Sequence, residues 1–398
     1  MAFTPVALNE AEIAFSGGEN HAASETRIPE GYARRMVNLD IDDTGVVTSR
    51  PVLGHIAGEY VHSIWQDPNT DIVMAVAEDV VCEVEGDNLV PLKTPGGDGV
   101  SAYSGRPMQY LSLEGAIYFT DGMINGVVRG DNRIHPWGVH NPVSPRRDPE
   151  AERVVYLTYE DESGQESGAV RFDTGEIPAR PGLVPRLYWA DDESTQYRLN
   201  GTGRVLKTQG KAAFPPGRHL TVLGGRIFVA RGKWLYYSDP LAYGLADPRY
   251  GFEKLESRIT ALGAVDDGLY VATETAVYFY AGTDPRGWQR RTISNRGAIM
   301  GSGCVVPTDA IEQEMVPGPG TQTAFAYLTR SGVAYAGNSG IVIEPTNDTL
   351  RLPTDVEVRM DLVARHGYYQ LVAVPQEPAG SASTEAIDSP VESPRGEV

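Results

Sequence analysis

Asp267-Gly268-Leu269-Tyr270-Val271-Ala272-Thr273, followed after a short polar turn by Ala276-Val277-Tyr278-Phe279-Tyr280, is a hairpin phrase that the chain repeats. Its parts are an apolar strand, a tight turn and a second apolar strand. The phrase stands at Asp71-Ile72-Val73-Met74-Ala75-Val76-Ala77 with Val80-Val81-Cys82-Glu83-Val84, and at Glu114-Gly115-Ala116-Ile117-Tyr118-Phe119-Thr120. It returns at Gly224-Gly225-Arg226-Ile227-Phe228-Val229-Ala230 with Trp234-Leu235-Tyr236-Tyr237. Two further copies are Thr323-Ala324-Phe325-Ala326-Tyr327-Leu328-Thr329 and Gly367-Tyr368-Tyr369-Gln370-Leu371-Val372-Ala373-Val374. Ile72 to Ile117 is 45 residues, Ile227 to Leu269 is 42, and Phe325 to Tyr368 is 43. A period of about 40 to 50 residues with several strands per unit predicts an all-β chain, a β-propeller of about six blades.

Two intervals depart from the period. Leu269 to Phe325 is 56 residues, which holds one blade and a loop at Val316-Pro317-Gly318-Pro319-Gly320. Ile117 to Ile227 is 110 residues. Removing one blade leaves roughly 65, too many for a loop inside a compact domain. An inserted module over 141–210 is therefore expected. It opens on Pro142-Val143-Ser144-Pro145-Arg146-Arg147-Asp148-Pro149 and carries Val154-Val155-Tyr156-Leu157-Thr158-Tyr159 and Arg186-Leu187-Tyr188-Trp189-Ala190. Short strands between turn signals predict a small β-sandwich there. The expected plan is an N-terminal segment with the first blades over 1–140, the insert over 141–210, and the remaining blades over 211–375. A tail over 376–398, rich in Pro, Ser, Glu and Ala, is expected to be disordered or partner-bound.

Composition bounds the rest. Forty-four Gly and 28 Pro interrupt almost every window in which a helix could run. Fifty-three acidic against 34 basic residues give a formal net charge of −19. Phosphate-backbone binding needs clustered Lys and Arg, and the sequence offers only the isolated pairs Arg146-Arg147 and Arg290-Arg291. Acidic walls would let nucleic acid pass rather than hold it. The two cysteines, Cys82 and Cys304, sit in apolar stretches and read as buried free thiols. The N-terminus lacks the pattern of a signal peptide, and no segment reaches the length of a membrane span.

Catalytic and ligand motifs are weak. His135 and His140 flank Trp137 without completing a metal set. Asp40-Ile41-Asp42-Asp43-Thr44-Gly45 lacks the downstream Glu of a calcium loop, and an Asp-Gly hairpin accounts for it better. Gly301-Ser302-Gly303 is not followed by the lysine of a phosphate loop. Asp284-Pro285-Arg286-Gly287-Trp288 has an Asp-box flavour but reads as a blade turn, and Arg129-Gly130-Asp131 reads as a chance turn. No catalytic residue, metal or cofactor is expected, and the chain is read as a non-enzyme. The alternatives are a carbohydrate-active propeller enzyme, glycosidase- or sialidase-like with two carboxylates, and a propeller interaction scaffold.

Two stretches carry a resemblance. Ile28-Pro29-Glu30-Gly31-Tyr32-Ala33-Arg34-Arg35-Met36-Val37-Asn38-Leu39-Asp40, continuing to Gly54, resembles the N-terminal pattern of tail nozzle (tail hub or tail tube) proteins of short-tailed bacteriophages, or podoviruses. The run from Tyr236-Tyr237-Ser238-Asp239-Pro240 to Tyr280-Ala281-Gly282-Thr283-Asp284-Pro285 is similar to consecutive blades of those proteins. Tyr156-Leu157-Thr158-Tyr159 with Ser163-Gly164-Gln165-Glu166-Ser167 resembles their fibronectin-type, immunoglobulin-like module. Pro51-Val52 departs from the pattern, where a basic residue and a glycine are more usual. The resemblance implies a virion structural protein, made in the host cytoplasm and assembled as a ring, a hexamer, below portal and head-to-tail adaptor proteins. It implies other tail proteins (fibres or spikes, a plug or needle) as further partners. The ring would form a channel for DNA retention and ejection, with no sequence-specific binding.

Overall fold

The computed structural model describes residues 61–86, 88–93, 106–143, 145–190, 196–200, 202–347, 349–365 and 368–376, with short pieces at 18–20, 23, 32–33, 39–41 and 47–49. Among them the only helical elements are four short 3-10 turns; everything regular is β-strand. Gln376, expected to open the tail, ends a strand; the rest of the expected tail, most of the 28–54 stretch, and His21, His55 and His366 lie outside the described residues. Of the Asp40 to Gly45 loop, only the flanking strands Leu39–Ile41 and Val47–Ser49 are described; they pair antiparallel.

Five antiparallel sheets follow one another as blades. The first holds Val61–Gln66, Val73–Ala77, Val80–Glu85 and Asn88–Pro91. The second holds Gln109–Leu113, Ala116–Thr120, Asn125–Val128 and Ile134–His135. The third is built on His219–Leu223, Arg226–Arg231 and Trp234–Asp239; its outer edge is split by a bulge between Phe252–Lys254 and Ala242–Ala246. The fourth holds Ile259–Val265, Gly268–Thr273, Val277–Ala281 and Gln289–Ser294. The fifth holds Cys304–Pro307, Thr323–Thr329, Gly332–Ala336 and Val342–Ile343. A two-stranded hairpin, Glu357–Arg365 with Tyr368–Gln376, takes the next place. Each repeated phrase of the sequence supplies the second strand of its unit, hairpin included.

Tight turns explain the local hairpins. At Gly224-Gly225 both central residues have positive φ, 57° and 69°, the conformation whose twist matches paired strands. Burial then explains the nearly continuous apolar runs. Ile259–Val265 and Gly268–Thr273 are buried at every residue, as strands covered on both faces must be.

The hydrophobic cores lie between consecutive sheets. Met74, Val76 and Val81 pack with Tyr110, Ile117 and Phe119 between the first and second blades. Ile227, Val229 and Tyr236 meet Trp137, Tyr118 and Leu111 between the second and third. Phe228 and Leu235 join Leu262, Leu269 and Val271 in the next cluster. Tyr270 and Phe279 pack on Phe325 and Tyr327 in the one after it. Ala324, Ala326 and Val306 finally meet Val358 and Met360 of the hairpin. Sheets stacked face to face in sequence order are the architecture of a β-propeller. Hydroxyls bridge the same seams: Ser63 Oγ accepts from Met108 N at 2.8 Å, and Tyr270 donates to the Gly337 carbonyl at 2.6 Å.

The second and third blades touch directly, so the intervening chain stands outside the ring. Its ends meet at Asn141, whose side chain donates to the Lys211 carbonyl at 2.8 Å and accepts from Gly168 N at 3.0 Å. The sequence pattern led us to expect two facing sheets here. Among the described residues there is one four-stranded sheet, in the order Val170–Arg171, Val155–Glu160, Val184–Ala190, Tyr197–Leu199. The reason is proline. The segment that covers its apolar face runs through Ile177-Pro178 and Arg180-Pro181, and proline cannot donate to a ladder. Tyr159 donates to the Pro178 carbonyl at 2.6 Å, the Arg180 guanidinium lies 4.5 Å from the Tyr159 ring, and Leu157, Tyr159 and Phe172 are buried beneath.

Candidate functional site

The first strands of all five blades, together with the hairpin, line one central cavity of about 810 Å3. Trp65 and Tyr110, from the first two blades, stack with ring centroids 5.5 Å apart and planes 18° from parallel. Thr221 and Leu262 come from the third and fourth blades, Cys304 and Val305 from the fifth, Arg359 and Asp361 from the hairpin. Arg359 is surrounded by protein yet keeps part of its surface open to this cavity. It donates through Nη1 to the Met108 carbonyl and lies 5.8 Å from the Tyr110 ring centroid. Burial raises the pKa of Asp361 against the pull of Arg359. Burial, with Asp361 adding to it, pushes the Cys304 thiol up to about 12.

More arginines gather where the inner strands begin. Arg106 precedes the inner strand of the second blade, Arg218 that of the third, and Arg258 that of the fourth. Arg218 Nη2 donates to both oxygens of Glu357, at 2.7 and 2.9 Å. Arg106 is buried within electrostatic reach of Arg218, Arg258, Asp121 and Glu357. Burial, and then Arg218 and Arg258, push the neighbouring His219 down to about 3. The sequence shows no basic cluster, because these residues are brought together only when the ring closes.

The residues singled out in the sequence take structural places. Asp131 accepts from His135 at 2.8 Å and from Arg133 N at 3.2 Å, so it fastens its own turn. Trp137 is buried and donates to the Tyr243 carbonyl at 2.9 Å. Asp284 caps the 3-10 turn Pro285–Gly287, and Trp288 packs on Phe228 and Tyr280. Ser302 is buried, donating to the Ile299 carbonyl and accepting from Leu328 N. Arg146 lies over Phe172, Arg291 over Phe279, and Arg290 bonds Glu256 at 3.0 Å. Neither cysteine forms a disulfide: Cys82 is buried, and Cys304 reaches the cavity. Among the described residues no three His, Cys, Asp or Glu side chains are placed to hold a metal. No helix among them is long and apolar enough to cross a membrane.

No protein-family model and no curated protein matches the chain. Solved structures share its outline at low similarity. One is described as the extracellular domain of a one-component system of B. thetaiotaomicron: 11% identity and TM-score 0.30, covering 80% of this chain but only 37% of that one. Another is BBS1N in complex with ARL6DN: 15% identity and TM-score 0.36, covering 79% and 89% of the two chains. A Lactobacillus plantarum protein gives 13% identity and TM-score 0.32, covering 81% and 95%. Likeness at this level carries no functional argument.

Proposed function

We propose that this chain is a structural subunit of a phage tail nozzle, assembling as a ring around the path of the ejected genome. The observation that carries the reading is the sequence resemblance over 236–285, which spans the third and fourth blades. Two features support it. A separate sheet is inserted in the chain between the second and third blades, and the resembling proteins carry a fibronectin-type module. The chain's net charge of −19 disfavours capture of DNA.

The mechanism is geometric. A propeller with five packed inter-sheet cores is a stiff block, and copies related by rotation close into a ring without leaving open contacts. The insert, pinned at Asn141, offers a surface that does not disturb the blades. DNA passes on shape and charge alone, with portal, adaptor and distal tail proteins as neighbours.

Native mass measurement and electron microscopy of the purified chain, alone and with an adaptor ring, test this. Six-fold rings, or capture by the adaptor, are expected. Particles that stay monomeric at every concentration and ignore the adaptor would overturn it.

The carbohydrate-active alternative draws on the cavity's Asp361 and the Trp65–Tyr110 stack. The other buried carboxylate of the cavity, Asp67, is occupied as a turn cap, taking Asn69 N at 3.0 Å and Thr70 Oγ1 at 2.8 Å. That arrangement supports ligand binding better than paired acid–base chemistry. Glycan turnover lost in Asp361→Asn would reverse the preference.

A further inference from the structure

We propose that the central cavity binds a small ligand bearing a planar or tetrahedral oxyanion, carboxylate or phosphate, on the free edge of the Arg359 guanidinium. The argument begins with charge. Arg359 is enclosed by the ring, yet makes no ion pair among the described residues. Only Nη1 is committed, to the Met108 carbonyl. Nε is buried and has no acceptor. A buried cation whose carboxylate neighbour, Asp361, makes no salt bridge with it is costly, and so is a buried donor left unbonded. An oxyanion would relieve both, because the Nε edge of a guanidinium matches two oxygens of one carboxylate or phosphate.

The surroundings fit such a ligand. The cavity's 810 Å3 falls in the size range of small-molecule sites, and its lining mixes polar and apolar groups. The Trp65–Tyr110 stack and Leu262 offer an apolar wall for a ligand body, while Gln109 and Thr221 offer hydrogen bonds. Asp361 lies two residues from Arg359 on the same strand and opposes an incoming anion. Its Oδ1 is turned to its own chain, accepting from Leu362 N at 2.9 Å.

The site belongs to a single subunit, so its test is independent of ring assembly. Calorimetric titration of the full chain at low ionic strength would use inorganic phosphate and D-glucuronate as probes, with D-glucose as the uncharged control. Saturable binding of phosphate or glucuronate, and none of glucose, is expected; which probe binds tighter tells phosphate from carboxylate. Arg359→Lys keeps the charge and loses the fork, and should weaken binding roughly ten- to a hundredfold. Asp361→Asn removes the opposing carboxylate and should tighten it severalfold. The proposal is overturned if neither anion binds, if glucose binds equally, or if Asp361→Asn leaves the affinity unchanged. It is overturned equally by a folded Arg359→Lys protein that binds as the parent does.

Discussion

His219 shows how the ring imposes chemistry on one residue. It opens the inner strand of the third blade, is only 7% exposed, and has an Nε2 atom with no hydrogen-bond partner. Protonation would place a cation in apolar surroundings beside Arg218 and Arg258, and burial first, then those arginines, push its pKa down to about 3. The unfolded chain takes up this proton near pH 6.5, whereas the folded chain holds out until near pH 3. Between those values the unfolded state binds more protons, so stability rises with pH and falls on acidification. At pH 5 the His219 contribution to the loss is about 2 kcal/mol, at about 1.4 kcal/mol per pH unit below 6.5. Urea denaturation at pH 5 and pH 7.5 should show it, and His219→Asn should shrink the difference between the two pH values whatever it does to absolute stability. An equal difference in the variant would refute the assignment. The same enclosure governs Cys304, whose thiol burial raises to about 12. In the native protein at pH 8 it should alkylate far more slowly than in the denatured chain, measurable by mass spectrometry after iodoacetamide treatment.

At the scale of elements, the insert is held to the ring at a seam where glycines make room for close contacts. A methyl group on Gly244 would stand 1.7 Å from Gln165 Nε2, and one on Gly168 would stand 1.8 Å from the Lys211 carbonyl oxygen. Gln165 uses that space to donate to the Trp137 carbonyl at 2.8 Å while accepting from Arg129 at 3.0 Å. Gly244→Ala must therefore break this clamp or shift a strand, at about 1 to 3 kcal/mol. Faster limited proteolysis within 141–210, with the ring fragment surviving, is the expected result. Cleavage at the parental rate would mean that the seam tolerates the methyl group. How much of these elements the sequence disclosed follows from burial. The second strands of the third, fourth and fifth blades are buried almost throughout, so they appear as long apolar runs and mark the period clearly. The insert shows no second sheet among the described residues because the segment over its apolar face is interrupted by Pro178 and Pro181. Those prolines turn a candidate sheet into a covering loop.

For the whole molecule, closure is the property that single stretches of sequence conceal. Arg106, Arg218, Arg258 and Arg359 are separated by 112, 40 and 101 residues, so no local window shows them as a group. Their common sign was the position just before, or within, the innermost strand of a unit, which becomes meaningful only once the strands are assigned to a ring. The hairpin at 357–376 is the element that brings the ends of this array together. Glu357 binds Arg218 of the third blade's approach, Val358 N donates to the Met300 carbonyl at 2.8 Å, and Arg359 reaches the Met108 carbonyl beside the second blade. Val358 and Met360, 6% and 5% exposed, complete the core of the fifth blade. A chain ending at residue 353 loses these two side chains, at a cost of about 3 to 6 kcal/mol, and the partly buried Val356, Leu362 and Leu371 in addition. It also leaves Arg218 without its carboxylate. Because each blade packs mainly on its neighbours, the damage should begin at the fifth blade rather than spread evenly. Scanning calorimetry should then show a lower midpoint and a separate early transition, whereas Val374→Ser, at a site 50% exposed on the outer strand, should leave the parental trace. A truncated chain that melts in one step at the parental temperature would mean that the ring is closed by something other than this hairpin.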